Sequence, residues 1–252
     1  MSGTFDRNGR IDTGRGIIAT CIGKKRSGKS IMGLLLFRAY PGDRLVLDVA
    51  GDDGPIGDDV HNIRGTVDDL PRRWPEHLRE DKKPMTLRYV PDAGSPTFLE
   101  DMDAFVALAM THGDCCLLVH EAGRLAPVHK TGPNTARLLM HNRHQRVTAI
   151  FCMPRSQGAD TLILSQADLV YTFEVPNPAD RKRIAETIGW NPADFDEAVH
   201  DLGPHEYLRF DSNELKPEKG NDDNRLLHFP ALPSDVVADL KRWADGQRRV
   251  DP

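Results

Sequence analysis

The spacing of glycines and cations in Gly23-Lys24-Lys25-Arg26-Ser27-Gly28-Lys29-Ser30 constrains this chain more than any other stretch. It meets the pattern G-x-x-x-x-G-K-[ST] at every fixed position. Gly16-Ile17-Ile18-Ala19-Thr20-Cys21-Ile22 before it reads as a buried strand, and Ser30 to Tyr40 after it reads as a helix. Glycines let the backbone curl until successive N–H groups converge, and the helix behind adds its positive N-terminal end. A loop of this kind holds phosphate oxygens. Lys29 is placed to reach the β- and γ-phosphates of a nucleotide, and the Ser30 hydroxyl to bind Mg²⁺. Gly23, Lys24, Lys25, Arg26, Ser27, Gly28, Lys29, Ser30 and Ile31 therefore form the candidate nucleotide-binding set. Lys24, Lys25 and Arg26 make the loop unusually basic; they either screen phosphate charge or point to solvent, the commoner fate of lysine.

Downstream, strand-like and helix-like segments alternate. Strands are expected at Arg44–Val49, Met85–Val90, Cys115–Val119, Val147–Cys152 and Leu169–Val175, with an edge strand at Tyr207–Phe210. Helical spacing covers Phe98–Met110, Thr135–Met140, Asp180–Ile188 with Gly189 as its stop, Phe195–Leu202, and Ser234–Asp245 with Ser234 as N-cap. Residues 56–82 are polar and carry no firm pattern. Alternation of this kind predicts an α/β fold, a mainly parallel sheet with helices on both faces. The expected organisation is an N-terminal segment 1–15, a main domain 16–212, and a mobile loop (Lys216 to Asn224) with a last helix in 213–252.

Composition removes several classes. No apolar run reaches the ~20 residues a membrane helix needs, and Met1 to Arg10 is polar, with no secretory signal. Cys21, Cys115, Cys116 and Cys152 all lie in apolar runs without zinc-site spacing, as buried thiols of a reducing cytosol would. The net charge of −5 does not mark a nucleic-acid binder, but a pore can concentrate basic groups that a whole-chain sum conceals.

Hydrolysis of a bound nucleotide needs a group that orients water and help with the metal. The strand Cys115–Val119 ends in His120-Glu121-Ala122-Gly123. Glu121 stands where a carboxylate poises an attacking water. His120 stands where an aspartate ordinarily supports Mg²⁺, and neutral imidazole is a poor partner for that hard cation. Asp48, at the end of the second strand, is the carboxylate that could substitute.

Together these segments resemble the FtsK/HerA group of P-loop ATPases. Gly23 to Ser30 matches its phosphate loop. Leu45-Val46-Leu47-Asp48-Val49-Ala50-Gly51 resembles its second strand, and Leu117-Leu118-Val119-His120-Glu121-Ala122 its hydrophobic run ending Asp-Glu-Ala. Asn142 to Ser156, followed by Ser165 to Phe173, resembles its segment around Gly-Arg-His and Gln-Arg-Pro. Two positions depart from the group: His120 replaces the magnesium aspartate and Pro154 the sensor glutamine. The resemblance implies a RecA-like (ASCE) core that binds ATP and Mg²⁺. It also implies a ring, most often a hexamer, that moves double-stranded DNA. The compact length is similar to that of genome-packaging ATPases of viruses, which would place the chain in the host cytoplasm or virion, at a capsid vertex. Arg143 and Arg155 match arginines that such rings offer to a neighbouring subunit's nucleotide, with a surface role as the plain alternative for each. The competing readings are a nucleotide-gated binding or assembly subunit with weak hydrolysis, favoured by His120 and Pro154, and a small-substrate kinase, disfavoured by the lack of an Arg-rich lid.

Overall fold

Alternate residues of the central strands serve two cores. In β5 (Cys115–His120), Cys115, Leu117 and Val119 enter one apolar cluster, while Cys116 and Leu118 enter another. In β6 (Thr148–Met153), Ala149, Phe151 and Met153 face the first cluster and Ile150 and Cys152 the second. Every residue of both strands is buried. A strand covered on both faces belongs to the middle of a parallel sheet, which is why these stretches are apolar throughout rather than alternating. Each large aliphatic side chain so enclosed contributes roughly 1.5–3 kcal/mol relative to exposure.

The computed structural model describes residues 16–51, 56–57, 60–76, 83–213 and 226–246. The expected N-terminal segment 1–15 and the expected loop Lys216 to Asn224 fall outside them. The strands complete a nine-stranded sheet: β1 (Ile18–Ile22), β2 (Asp43–Asp48), β3 (Val60–Gly65), β4 (Thr86–Pro91), β7 (Leu169–Thr172), β8 (Tyr207–Asp211) and β9 (Leu226–Phe229), with β5 and β6. Their order is β3-β4-β2-β5-β6-β1-β7-β8-β9. From β3 to β7 all neighbours are parallel; β8 is antiparallel to β7, and β9 to β8. The fold is α/β, as the alternation predicts.

The helices are α1 (Lys29–Ala39), α2 (Phe98–His112), α3 (Ala122–Leu125), α4 (Pro133–Gln145), α5 (Thr161–Ser165), α6 (Pro178–Ile188), α7 (Pro192–His200) and α8 (Ser234–Ala244). Met102, Phe105, Leu138, Ile163, Ile184 and Phe195 carry α2 and α4–α7 onto the first core. Met32, Leu36 and Phe37 of α1 build the second, with Trp243 of α8 packed against it.

Four expectations change. Residues 56–82, without a firm pattern in sequence, contain β3 and a 3₁₀ turn at Val67–Asp69. The segment Tyr207–Phe210 is not an edge strand, because β9 pairs outside it. Ser234 is the first helical residue and Pro233 takes the cap position without a side-chain cap. Finally, β9 and α8 extend the sheet and its α1 side beyond the expected boundary at 212.

Candidate nucleotide site

The phosphate-loop sequence leaves β1 at the carboxyl edge of the sheet, between β6 and β7, and both neighbours hold it. The Gly23 N–H donates to the Met153 carbonyl at 3.3 Å and the Lys24 N–H to the Glu174 carbonyl at 2.9 Å. A Cβ on Gly23 would stand 2.6 Å from Ser27 Oγ and 2.7 Å from Phe173 Cβ, so only glycine fits. Gly28 has φ +110°, in the left-handed region. The turn closes through the Ser27 N–H onto the Lys24 carbonyl at 3.3 Å, and the Met32 N–H starts the helix on the Gly28 carbonyl at 3.0 Å. No acidic residue lies in the first turn of α1, so nothing in that turn offsets the helix's positive end. Lys29 Nζ donates back to the Lys24 carbonyl at 3.4 Å, across the loop. Ser30 and Ile31 follow on the first turn of α1, half-buried.

The structure separates the three loop cations. Lys24 is ion-paired with Glu174, the residue whose carbonyl already holds its N–H. Lys25 and Arg26 are exposed, and Arg26 has φ +65°. Glu174 is a site residue that sequence reasoning passed over; its signal is its place just after β7, the strand beside β1.

Two strands away, β5 brings His120 to the same edge. His120 stands in register with Asp48 of β2 and Cys152 of β6. By strand alternation it shares the α1 face with Leu118 and Cys152. Cys152 Sγ donates to the Lys29 carbonyl at 3.8 Å, fixing β6 against the first turn of α1. Burial, reinforced by the hydrogen bond with Cys152, pushes the Cys21 thiol well above its ordinary value. Glu121 is exposed and left-handed, φ 59° and ψ 44°, and starts α3 by accepting the Arg124 N–H at 2.8 Å. Arg26, Asp114, His129, Arg146 and His205 are the other described non-glycine residues at positive φ.

Asp48 has partners inside the fold. It is fully buried, and its Oδ2 accepts the Arg88 guanidinium through Nη2 and through Nε at 3.1 Å. Its Oδ1 accepts the Gly51 N–H at 2.8 Å, and Arg88 Nη1 donates onward to Asn62 at 3.0 Å. The carboxylate is paired inside the fold with a fork-shaped cation. Among the described residues no group of three or more His, Cys, Asp or Glu could hold a metal ion. The candidates named for Mg²⁺ besides Asp48 are Ser30, on the first turn of α1, and His120, at the end of β5.

The two arginines fall at opposite edges. Arg155 follows β6 on the phosphate-loop side, mostly exposed, its Nε 3.6 Å from Asp180 Oδ2. Asp180 is otherwise occupied by Ser156 Oγ at 2.6 Å and the Gln157 N–H at 2.7 Å. Pro154 lies between Arg155 and Met153, whose carbonyl holds Gly23. Arg143, near the C-terminal end of α4, lies at the other edge, where the parallel strands begin. It is ion-paired with the buried Asp168, whose other oxygen accepts the Ile18 N–H at 2.8 Å.

No family model and no curated protein sequence matches the chain. Solved structures do match in fold. The genome packaging NTPase B204 from Sulfolobus turreted icosahedral virus 2, in complex with AMPPCP, superposes with a TM-score of 0.64 at 18% identity, covering 88% of this chain and 100% of that one. The same protein in complex with AMP gives 0.61 at 22% identity, over 81% and 95% of the two chains. VirB4 of Thermoanaerobacter pseudethanolicus gives 0.53 at 11% identity, over 93% and 96%. The chain shares its α/β fold with these structures, the viral packaging NTPase among them.

Proposed function

We propose that this chain is an ATPase that forms a ring and moves double-stranded DNA, packaging a viral genome. The observation that carries the reading is the loop Gly23–Ser30 on a strand flanked by β6 and β7, with β5 delivering Glu121 to the same edge. Strand edges of this kind in open α/β sheets are where ligands bind. Its support is the likeness in fold, over 88% of this chain, to a structure described as a genome packaging NTPase. In this reading the loop N–H groups and Lys29 grip the triphosphate, and Glu121 takes the proton of the attacking water. Mg²⁺ fits as an ion held by the Ser30 hydroxyl, phosphate oxygens and water, since it keeps several waters and needs no all-protein cage. Bound there, it would offset the charge of the phosphates. Arg155 is the trans arginine offered to a neighbouring subunit, the ring is a hexamer, and the capsid vertex is its seat, in the host cytoplasm or virion. No described helix is long and apolar enough to cross a membrane. The direct test is ATP hydrolysis with and without double-stranded DNA across a dilution series. Turnover per subunit rising with concentration and with DNA supports the ring; a flat response removes it.

A second reading, a nucleotide-gated assembly subunit with weak hydrolysis, is favoured by one observation. The acidic position beside the site is His120, and the alternative carboxylate, Asp48, is spent on Arg88. The His120→Asp variant separates the two. Faster hydrolysis and tighter Mg²⁺ dependence mark weak turnover in the parent chain; unchanged or lower activity marks His120 as suited to the reaction.

A further inference from the structure

Arg209 stands where the second core would take an aliphatic side chain. On β8, Leu208 and Phe210 enter the first cluster and Tyr207 the second, so strand alternation turns Arg209 toward α1. It is in register with Tyr171 of β7 on one side and Leu227 of β9 on the other. The side chain is half-buried. Its guanidinium carbon lies 5.0 Å from the centre of the Phe229 ring, and Phe229 stacks on Tyr207 with centroids 5.4 Å apart. That stack orients the guanidinium without giving it an acceptor. Arg209 Nε–H is buried and has no hydrogen-bond partner among the described residues. Asp211, two residues along the strand, accepts the Asn213 N–H at 2.9 Å instead.

A pocket of about 220 Å³ lies at this place, where Leu35, Leu36 and Ala39 of α1 meet Tyr171, Arg209 and Phe229 of the sheet. No residue of the phosphate loop lines it. The volume is below the ~300–1,000 Å³ of drug-sized sites, so its occupant is small. A cation enclosed by apolar walls is costly until an anion matches it. Arg88 shows the match inside this same molecule: its Nε and Nη2 fork grips the Asp48 carboxylate. Arg209 offers the same Nε edge with no carboxylate on it. Burial raises the phenols of Tyr171 and Tyr207, which also line the pocket, so both keep their protons as donors. A phosphate dianion would bring a second charge that no other cation among the described lining residues meets.

We propose that this pocket is a ligand site, separate from the phosphate loop, for a small carboxylic acid with a short apolar tail. The carboxylate sits on Arg209 and the tail lies against Leu35 and Leu36. The site stands on Arg209 and its walls alone, whatever the phosphate loop holds.

Hexanoate and its uncharged counterpart hexanamide, titrated into the full chain by calorimetry, test this. The parent chain should prefer hexanoate by roughly tenfold or more, the gain of a hydrogen bond to a charged group. Arg209→Met, similar in length and uncharged, should lose that preference. Without ligand it should melt no lower than the parent, since it removes a cation that lacks a partner. Ala39→Phe, which fills the pocket from the last residue of α1 and leaves the charge in place, should weaken both ligands by about tenfold or more. Lys29→Ala should leave hexanoate binding unchanged, which separates this pocket from anion binding at the loop. Equal affinity of the parent for acid and amide, a preference that survives Arg209→Met, a lower melting point of that variant, or loss of hexanoate binding in Lys29→Ala overturns the proposal. So does a dilution-dependent self-association that Arg209→Met abolishes while hexanoate fails to compete, because the occupant is then an acidic side chain of a second copy.

Discussion

The β1 limb and the β2–β5 limb of the same sheet edge handle charge in opposite ways. At β1, Lys25 and Arg26 face solvent and Lys29 reaches only to a backbone carbonyl, so positive charge is left available at the loop. At β2, Asp48 is enclosed and matched by Arg88, so its negative charge is cancelled before it reaches the edge. The contrast teaches where a chain of this class keeps its binding energy. In the proposed reading an anion is met by the cations of one limb, and the other limb supplies the exposed carboxylate of Glu121. Asp48 is enclosed with its cation, whereas Glu121 stands exposed in a left-handed turn at the same strand ends.

Three variants would break or sharpen that contrast on the side of function and stability. The largest effect belongs to Arg155→Ala. If Arg155 serves a neighbouring subunit, hydrolysis in the assembled state should fall by at least ~10³-fold, the low end for a trans arginine, with nucleotide affinity little changed. Next is Asp48→Ala, which strands the buried Arg88 guanidinium. It should lower unfolding free energy by about 3–5 kcal/mol, read by denaturant melts, while surviving folded protein binds nucleotide normally. A variant that keeps its stability but loses Mg²⁺ dependence would instead make Asp48 a ligand. Glu121→Gln follows: turnover should drop at least ~10²-fold with binding retained, and unchanged steady-state hydrolysis would mean another group orients the water.

The sequence made the β1 limb legible because its information is local. Gly23, Gly28, Lys29 and Ser30 sit within one turn of chain, and their strand and helix flanks are contiguous with them. The apolar runs of β5 and β6 are legible for the same reason. β3 escaped because its residues Val60-His61-Asn62-Ile63-Arg64-Gly65 form a half-exposed edge with a polar face, which resembles a loop by composition. β9 escaped because Leu226–Phe229 is short and follows a low-complexity stretch. The pairing of Asp48 with Arg88 was not legible because Arg88 lies on β4, adjacent only once the sheet is formed. The pocket beside α1 draws on Leu36, Tyr171 and Arg209, which no linear spacing connects.

The smallest expected effect is the sharpest discriminator between the two edges. Arg143 and Arg155 are equally arginine and equally matched to the resemblance, yet Arg143 is committed to Asp168, and Asp168 in turn holds the N–H that opens β1. Arg155 faces Oδ2 of Asp180 at a longer distance, while Ser156 and Gln157 hold the Oδ1 of that carboxylate. A guanidinium that must swing toward a neighbour's phosphate has to give up its present partner, and that exchange is easier for Arg155. Arg143→Ala should therefore cost about 1 kcal/mol of stability, since Arg143 itself is half exposed and its pair is partly screened. Turnover per folded subunit should stay at the parent level at every concentration. Hydrolysis that falls further in Arg143→Ala than in Arg155→Ala, at matched folded fraction, would reverse the assignment and move the trans contact to the edge where the strands begin.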